Sequence, residues 1–177
     1  MMAPDLKHNI FIELDGILSN YYFSAREYAL EKYNKVIIDD SWYGHTLTER
    51  EIINMHRSKE FYNNMNLLPF ANNINKLDYN IIITTDRVMD KGLTLSWLVR
   101  NKINFDIVLH RSTIGKKNLI KDFKPVAIID RDFSFLSSCI EKVNKLVYVY
   151  NPWSNFSRPE IVSVPNLENI VTILNDK

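Results

Sequence analysis

The chain has 177 residues, 46% of them hydrophobic, enough for one well-buried core and too few for two ordinary domains. Its 22 Lys and Arg against 21 Asp and Glu leave it near neutral with no long block of one sign, which disfavours bulk binding of nucleic acid. A single cysteine, Cys139, excludes an intrachain disulfide and a Cys-rich zinc site and points to a reducing interior. No apolar run reaches the roughly 20 residues of a membrane span, and MMAPDLKHN lacks the apolar core of a signal peptide, so a soluble, cytoplasmic protein with no membrane partner is expected.

In chain order, NIFIELDGILSN opens on the apolar run Ile10-Phe11-Ile12, which reads as a strand covered on both faces with Glu13 and Asp15 at its end. Ser24 with Glu27 three residues on predicts a capped helix start, and Ala25, Tyr28, Ala29 and Tyr33 follow at helical spacing. Thr48 and Glu51 form a second capping box ahead of EREIINMH, and Pro69 suits an early helical position in PFANNINKL. Everything from Gly16 to Leu77 therefore reads as helix or loop. NIIITT is a second strand, followed by a helix through Leu93, Trp97 and Leu98, and FDIVLH is a third strand. KKNLIKDF reads as a helix, VAIID as a fourth strand, FLSSCIEKV as a helix that buries Cys139, and LVYVY as a fifth strand. Strands separated by helices pair in parallel, so the expected fold is α/β: an open, twisted parallel sheet with helices on both faces and ligands beyond the carboxyl ends of the strands.

On that edge stand Glu13 and Asp15 after the first strand, Thr84, Thr85 and Asp86 after the second, and Asp130 and Asp132 after the fourth. Clustered carboxylates repel unless protonated or bridged by a cation, and hard oxygen donors suit Mg2+. Lys116 at a helix start adds positive charge and free N–H groups for phosphate, with Lys117 as an alternative. Phosphoryl chemistry is the expectation. His8, His45, His56 and His110 show no metal-ligand spacing and read as surface or hydrogen-bonded residues. Tyr21, Tyr22, Phe23, Trp42 and Tyr43 read first as packing residues, with stacking on a nucleobase as the alternative.

The stretches IFIELDGIL, IIITTDR, GKKNLI and AIIDRD, in that order, resemble the four motifs of the haloacid dehalogenase superfamily of phosphohydrolases over most of the chain. TTDR followed by TLSWL resembles the 5'(3')-deoxyribonucleotidase-like members. The resemblance implies a Rossmann-like core from residues 1–15 and 78–177 and a small helical cap from residues 16–77. It also implies an aspartyl-phosphate mechanism, with position 13 as nucleophile and Asp15 as general acid and base. Thr85, with Asp86 beside it, would hold the phosphoryl oxygens, and Lys116 would neutralise phosphate and nucleophile. Mg2+ would sit on Glu13, on Asp130 and on Asp15 through its backbone carbonyl.

The family's nucleophile is an aspartate, whereas this chain has Glu13. One extra methylene displaces the attacking carboxylate, and misplacement by about 1 Å can cost on the order of a hundredfold in rate, so impaired turnover with retained metal binding is expected. Arg131 between Asp130 and Asp132 is a second departure, which leaves Asp132 as a cap for a helix starting near Phe133. The expected substrate is a small phosphomonoester such as a nucleoside monophosphate. The alternatives are a catalytically inactive phosphatase-like binding or regulatory protein, and a phosphatase of nucleic-acid ends, which would need a basic channel that the net charge does not advertise.

Overall fold

A computed structural model describes residues 7–37, 46–87, 91–110, 115–150 and 156–176. Six strands form one sheet: β1 (Asn9–Glu13), β2 (Asn80–Thr85), β3 (Ile107–His110), β4 (Ala127–Asp130), β5 (Lys145–Val149) and β6 (Ile161–Val164). Their order is β3-β2-β1-β4-β5-β6, and every neighbouring pair is parallel. The four central strands are nearly continuous apolar runs, as burial on both faces requires. The edge strands expose Ile107 and Val162.

Register sorts the apolar side chains into two layers. Ile12 lies beside Ile83 and Ile129, and Phe11 beside Ile82 and Ile128, so alternate residues of three strands gather on opposite faces. The residues of the first face, Ile10, Ile12, Ile83 and Ile129, join one hydrophobic cluster with side chains of α1 (Tyr21–Tyr33), α2 (Glu49–His56), α3 (Lys59–Asn64), α4 (Lys91–Arg100) and α7 (Ile170–Asn175). Tyr21, Ala25, Phe61, Trp97 and Leu174 belong to the same hydrophobic cluster as those strand residues. The segment 16–77 thus shares its core with the sheet. The second face, with Phe11, Ile82 and Ile128, is covered by α5 (Lys116–Phe123) and α6 (Phe133–Ser137) through Leu119, Ile120, Phe135 and Leu136. Among the described residues, no helix is long and apolar enough to cross a membrane.

Several local expectations change. The Thr48–Glu51 box forms as expected and opens α2. The Ser24–Glu27 box does not, because α1 starts earlier, after Asn20. The Asn20 side-chain oxygen accepts the Asn66 N–H at 2.8 Å and the Ser24 hydroxyl at 3.0 Å, which ties the helix start to the distant chain and leaves Ser24 inside the first turn. Pro69 opens no α-helix. Phe70 takes a left-handed φ of 64°, which interrupts the chain, and only a 3-10 segment, Ala71–Lys76, follows. α6 stops at Ser137, and Cys139 is buried in the turns beyond it, its thiol donating to the Phe135 carbonyl at 3.1 Å. β6 and α7 go beyond the five strands and the helices that the pattern predicts, because a four-residue edge strand burying only its ends carries little periodic signal. Trp42, Tyr43 and His45 lie outside the described residues.

Candidate active site at the ends of β1 and β4

Chain connections run outward in opposite directions from β1 and β4, and that reversal opens a crevice beyond their carboxyl ends. Glu13 ends β1 and Asp130 ends β4. With Ile12 paired to Ile129, the two carboxylates follow side by side on strands about 4.8 Å apart. Both are buried, at 4% and 2% exposure. Two adjacent buried carboxylates repel one another, and protonation of one or a shared cation is the chemistry that relieves this. Glu13 Oε1 accepts the Asp15 N–H at 3.3 Å, and the Thr84 hydroxyl lies 3.5 Å from Oε2. Asp130 Oδ1 accepts the Asp132 N–H at 2.9 Å, while Asp132 Oδ1 accepts the Phe135 N–H at 2.9 Å and so caps α6.

Asp15 faces a different environment. The Arg87 Nε lies 3.0 and 3.1 Å from its two oxygens, and Arg87 Nη2 also donates to Oδ1. The Thr85 hydroxyl donates to Oδ2 at 2.9 Å and accepts the Arg87 backbone N–H at 3.2 Å. Arg87 is itself 1% exposed, with its guanidinium 5.1 Å from the centre of the Tyr21 ring and 4.9 Å from that of Tyr62. Burial works against its charge, but the Asp15 carboxylate more than offsets this, and the guanidinium is held above its ordinary range. Arg87 is the residue that pattern reading misses. The signal for it is a cation two residues beyond Thr85, where an apolar strand enters a buried edge.

Around this pair lie two histidines. His110 Nδ1 is 3.0 Å from the Arg87 carbonyl, which assigns the proton to that nitrogen. His56 Nε2 is 2.5 Å from the Tyr21 hydroxyl, within hydrogen-bond distance. Burial, together with the nearby Arg87 charge, pushes His56 down to about 4. A histidine held neutral in the fold lends stability that is complete above its unfolded pKa of about 6.5 and is lost as pH falls towards 4. The melting temperature should therefore drop across that window with uptake of about one proton on unfolding, and His56→Gln should flatten the drop. An identical pH slope in the variant refutes the assignment.

Of the remaining expected residues, Asp86 is exposed at the rim. Lys116 begins α5 behind Gly115, but the side chains of Lys116 and Lys117 lie outside the described residues. Tyr21 packs on Arg87, Tyr22 lies 4.7 Å under the Arg131 guanidinium, and Phe23 is exposed. Among the described residues, no group of three or more His, Cys, Asp or Glu side chains is gathered to hold a metal ion. The Asp15 carboxylate is occupied by Arg87 and Thr85. The donors that suit a hard divalent cation are Glu13, Asp130 and the main-chain carbonyl of Asp15, a set that leaves room for the water and phosphate oxygens Mg2+ keeps.

The sequence matches no protein-family model and no curated protein. Solved structures do match over nearly the whole chain. An L-2-haloacid dehalogenase has a TM-score of 0.62 at 11% identity, covering 95% of this chain and 99% of its own. A haloacid dehalogenase-like hydrolase from Streptococcus pneumoniae has a TM-score of 0.63 at 16% identity, covering 94% and 98%. A protein assigned as a beta-phosphoglucomutase from Thermotoga maritima has a TM-score of 0.59 at 13% identity, covering 94% and 98%. Such identities speak for the fold.

Proposed function

Since the chain has the Rossmann-like fold of the haloacid dehalogenase-like hydrolases, we propose that it is a slow, Mg2+-assisted phosphomonoesterase acting on small esters such as nucleoside monophosphates. The observation that carries this reading is the pair of buried carboxylates, Glu13 and Asp130, side by side at the switch point of the sheet. Glu13 attacks phosphorus as the P–O bond to the alcohol breaks, Asp15 gives the leaving oxygen its proton and takes one from the water that then releases phosphate, Lys116 holds the phosphoryl oxygens together with Thr85 once the Thr85 hydroxyl turns from Asp15, and residues 16–77 cap the crevice. Glu13, Asp130 and the Asp15 carbonyl would hold Mg2+, which would supply charge neutralisation at the phosphoryl group.

Phosphate release from mononucleotides, sugar phosphates and phosphorylated oligonucleotides, with and without Mg2+, tests this. Mg2+ should also raise the melting temperature by mass action, and Asp130→Ala should abolish the rise. An equal rise in the variant removes Asp130 from the metal site.

A second reading, a phosphatase-like binding protein without turnover, is favoured by one feature. Both Asp15 oxygens already accept hydrogen bonds, from Arg87 and from the Thr85 hydroxyl, which leaves little access for a leaving group or water to exchange a proton there. Mg2+-dependent binding of phosphate esters without release of phosphate selects it.

A further inference from the structure

Arg87 is buried with much of its hydrogen-bonding capacity unused. Nε and Nη2 serve Asp15, and Nη2 also points at the Met65 sulfur at 3.1 Å, a weak acceptor. Nη1 is buried and has no hydrogen-bond partner among the described residues. A buried donor left unmatched is costly, and one on a charged group marks a place where a further acceptor belongs. We propose that Arg87 is a further catalytic residue that changes partner: it neutralises Asp15 until substrate arrives, then passes to the phosphoryl group and so releases Asp15 for proton transfer. The inference deepens the phosphomonoesterase reading and rests on it for the position of the phosphoryl group.

The contacts of Asp15 place the exchange. The Thr85 hydroxyl donates to Oδ2 at 2.9 Å and accepts the Arg87 N–H at 3.2 Å, while Arg87 Nε reaches the same oxygen at 3.1 Å. The hydroxyl that turns to the phosphoryl group and the guanidinium thus converge on one carboxylate oxygen, and an anion that draws one away stands beside the other. A carboxylate offers one negative charge and two oxygens, whereas a phosphate monoester carries a charge of about −1.5 to −2 at neutral pH and three strong acceptor oxygens. Where water is excluded, the larger charge prevails, and the guanidinium fork matches phosphate oxygens in pairs. Nη1 then gains the acceptor that Asp15 does not supply.

The surroundings of Arg87 allow the side chain to turn. The Tyr21 and Tyr62 rings, 5.1 and 4.9 Å from the guanidinium carbon, attract it through their faces, without directed bonds that a rotation would break. The main chain is fixed at both ends of the residue, by Thr85 at its N–H and by His110 Nδ1, 3.0 Å from its carbonyl. The movement therefore belongs to the side chain alone.

Inorganic phosphate tests the exchange without any need for turnover. It is titrated into the full chain at a fixed Mg2+ concentration, and the Arg87 Nε–H signal, assigned through bonds by NMR, should move with saturation. Asp15→Asn removes the competing carboxylate. It should tighten phosphate about tenfold or more and give a larger rise in melting temperature at saturation than the unaltered chain shows. Adding Arg87→Met to Asp15→Asn should cancel that gain. An Arg87 signal that phosphate leaves unmoved, a gain that survives Arg87→Met, or no phosphate binding by the unaltered chain and Asp15→Asn alike overturns the proposal. Ester hydrolysis by a protein whose Arg87 signal ignores phosphate would leave the phosphatase reading standing and remove this one. Phosphate bound through Arg87 with no ester turned over would do the reverse.

Discussion

Glu13→Asp is expected to raise Mg2+-dependent phosphate release by about tenfold or more, while Glu13→Ala and Glu13→Gln stay at background. The position is the last residue of β1, paired with Thr84 of β2 and directly following Ile12, which is paired on both sides, so the backbone does not retreat to absorb the longer side chain. Shortening it withdraws the carboxylate by one C–C bond, about 1.5 Å, more than the roughly 1 Å that separates a productive attack from a poor one. Phosphoryl transfer depends chiefly on positioning and charge stabilisation, so restored geometry recovers rate without new chemistry. Initial rates on a broad ester panel decide the matter. If Glu13→Asp is as inactive as Glu13→Ala, the hold of Arg87 on Asp15 is sufficient to prevent turnover, and the binding reading replaces the phosphatase. If the unaltered protein already matches Glu13→Asp, the geometric objection to Glu13 is wrong.

Arg87→Met should destabilise the fold by about 3–5 kcal/mol, the cost of leaving a buried carboxylate without its counter-charge. Asp15 is 8% exposed and Arg87 1%, so solvent cannot compensate for the lost partner. The guanidinium also lies against the Tyr21 and Tyr62 rings, and methionine keeps some of that packing while removing the charge. In denaturant unfolding, the double variant Arg87→Met with Asp15→Asn should be clearly less damaged than the sum of the single changes, because one lost interaction is then counted once. A loss of less than about 1 kcal/mol for Arg87→Met alone would show that the pair is not the anchor between β1 and the loop after β2.

Much of the architecture is legible in local pattern. Ile10-Phe11-Ile12, Ile81 to Thr84 and Ile128-Ile129 read as strands because a sheet buried on both faces requires continuous apolar runs, and the alternation of strands with helices leaves parallel pairing as the outcome. The Thr48–Glu51 capping box is equally local, since both partners lie within one helical turn. Glu13 and Asp130 are legible as strand-end carboxylates for the same reason. That they are immediate neighbours is not, for it depends on β4 docking beside β1 after the chain has built β2 and β3 on the other side. Asn20 looks like an ordinary polar residue until Asn66, 46 positions away, donates to it and starts α1 ahead of Ser24. Arg87 meets Asp15 across 72 positions, and its burial is tolerable only because the carboxylate, two tyrosine rings and Thr85 are brought around it together. Periodicity records which face of an element is apolar. Which charges meet on that face is set by sheet order and register, quantities that no single stretch of the chain contains.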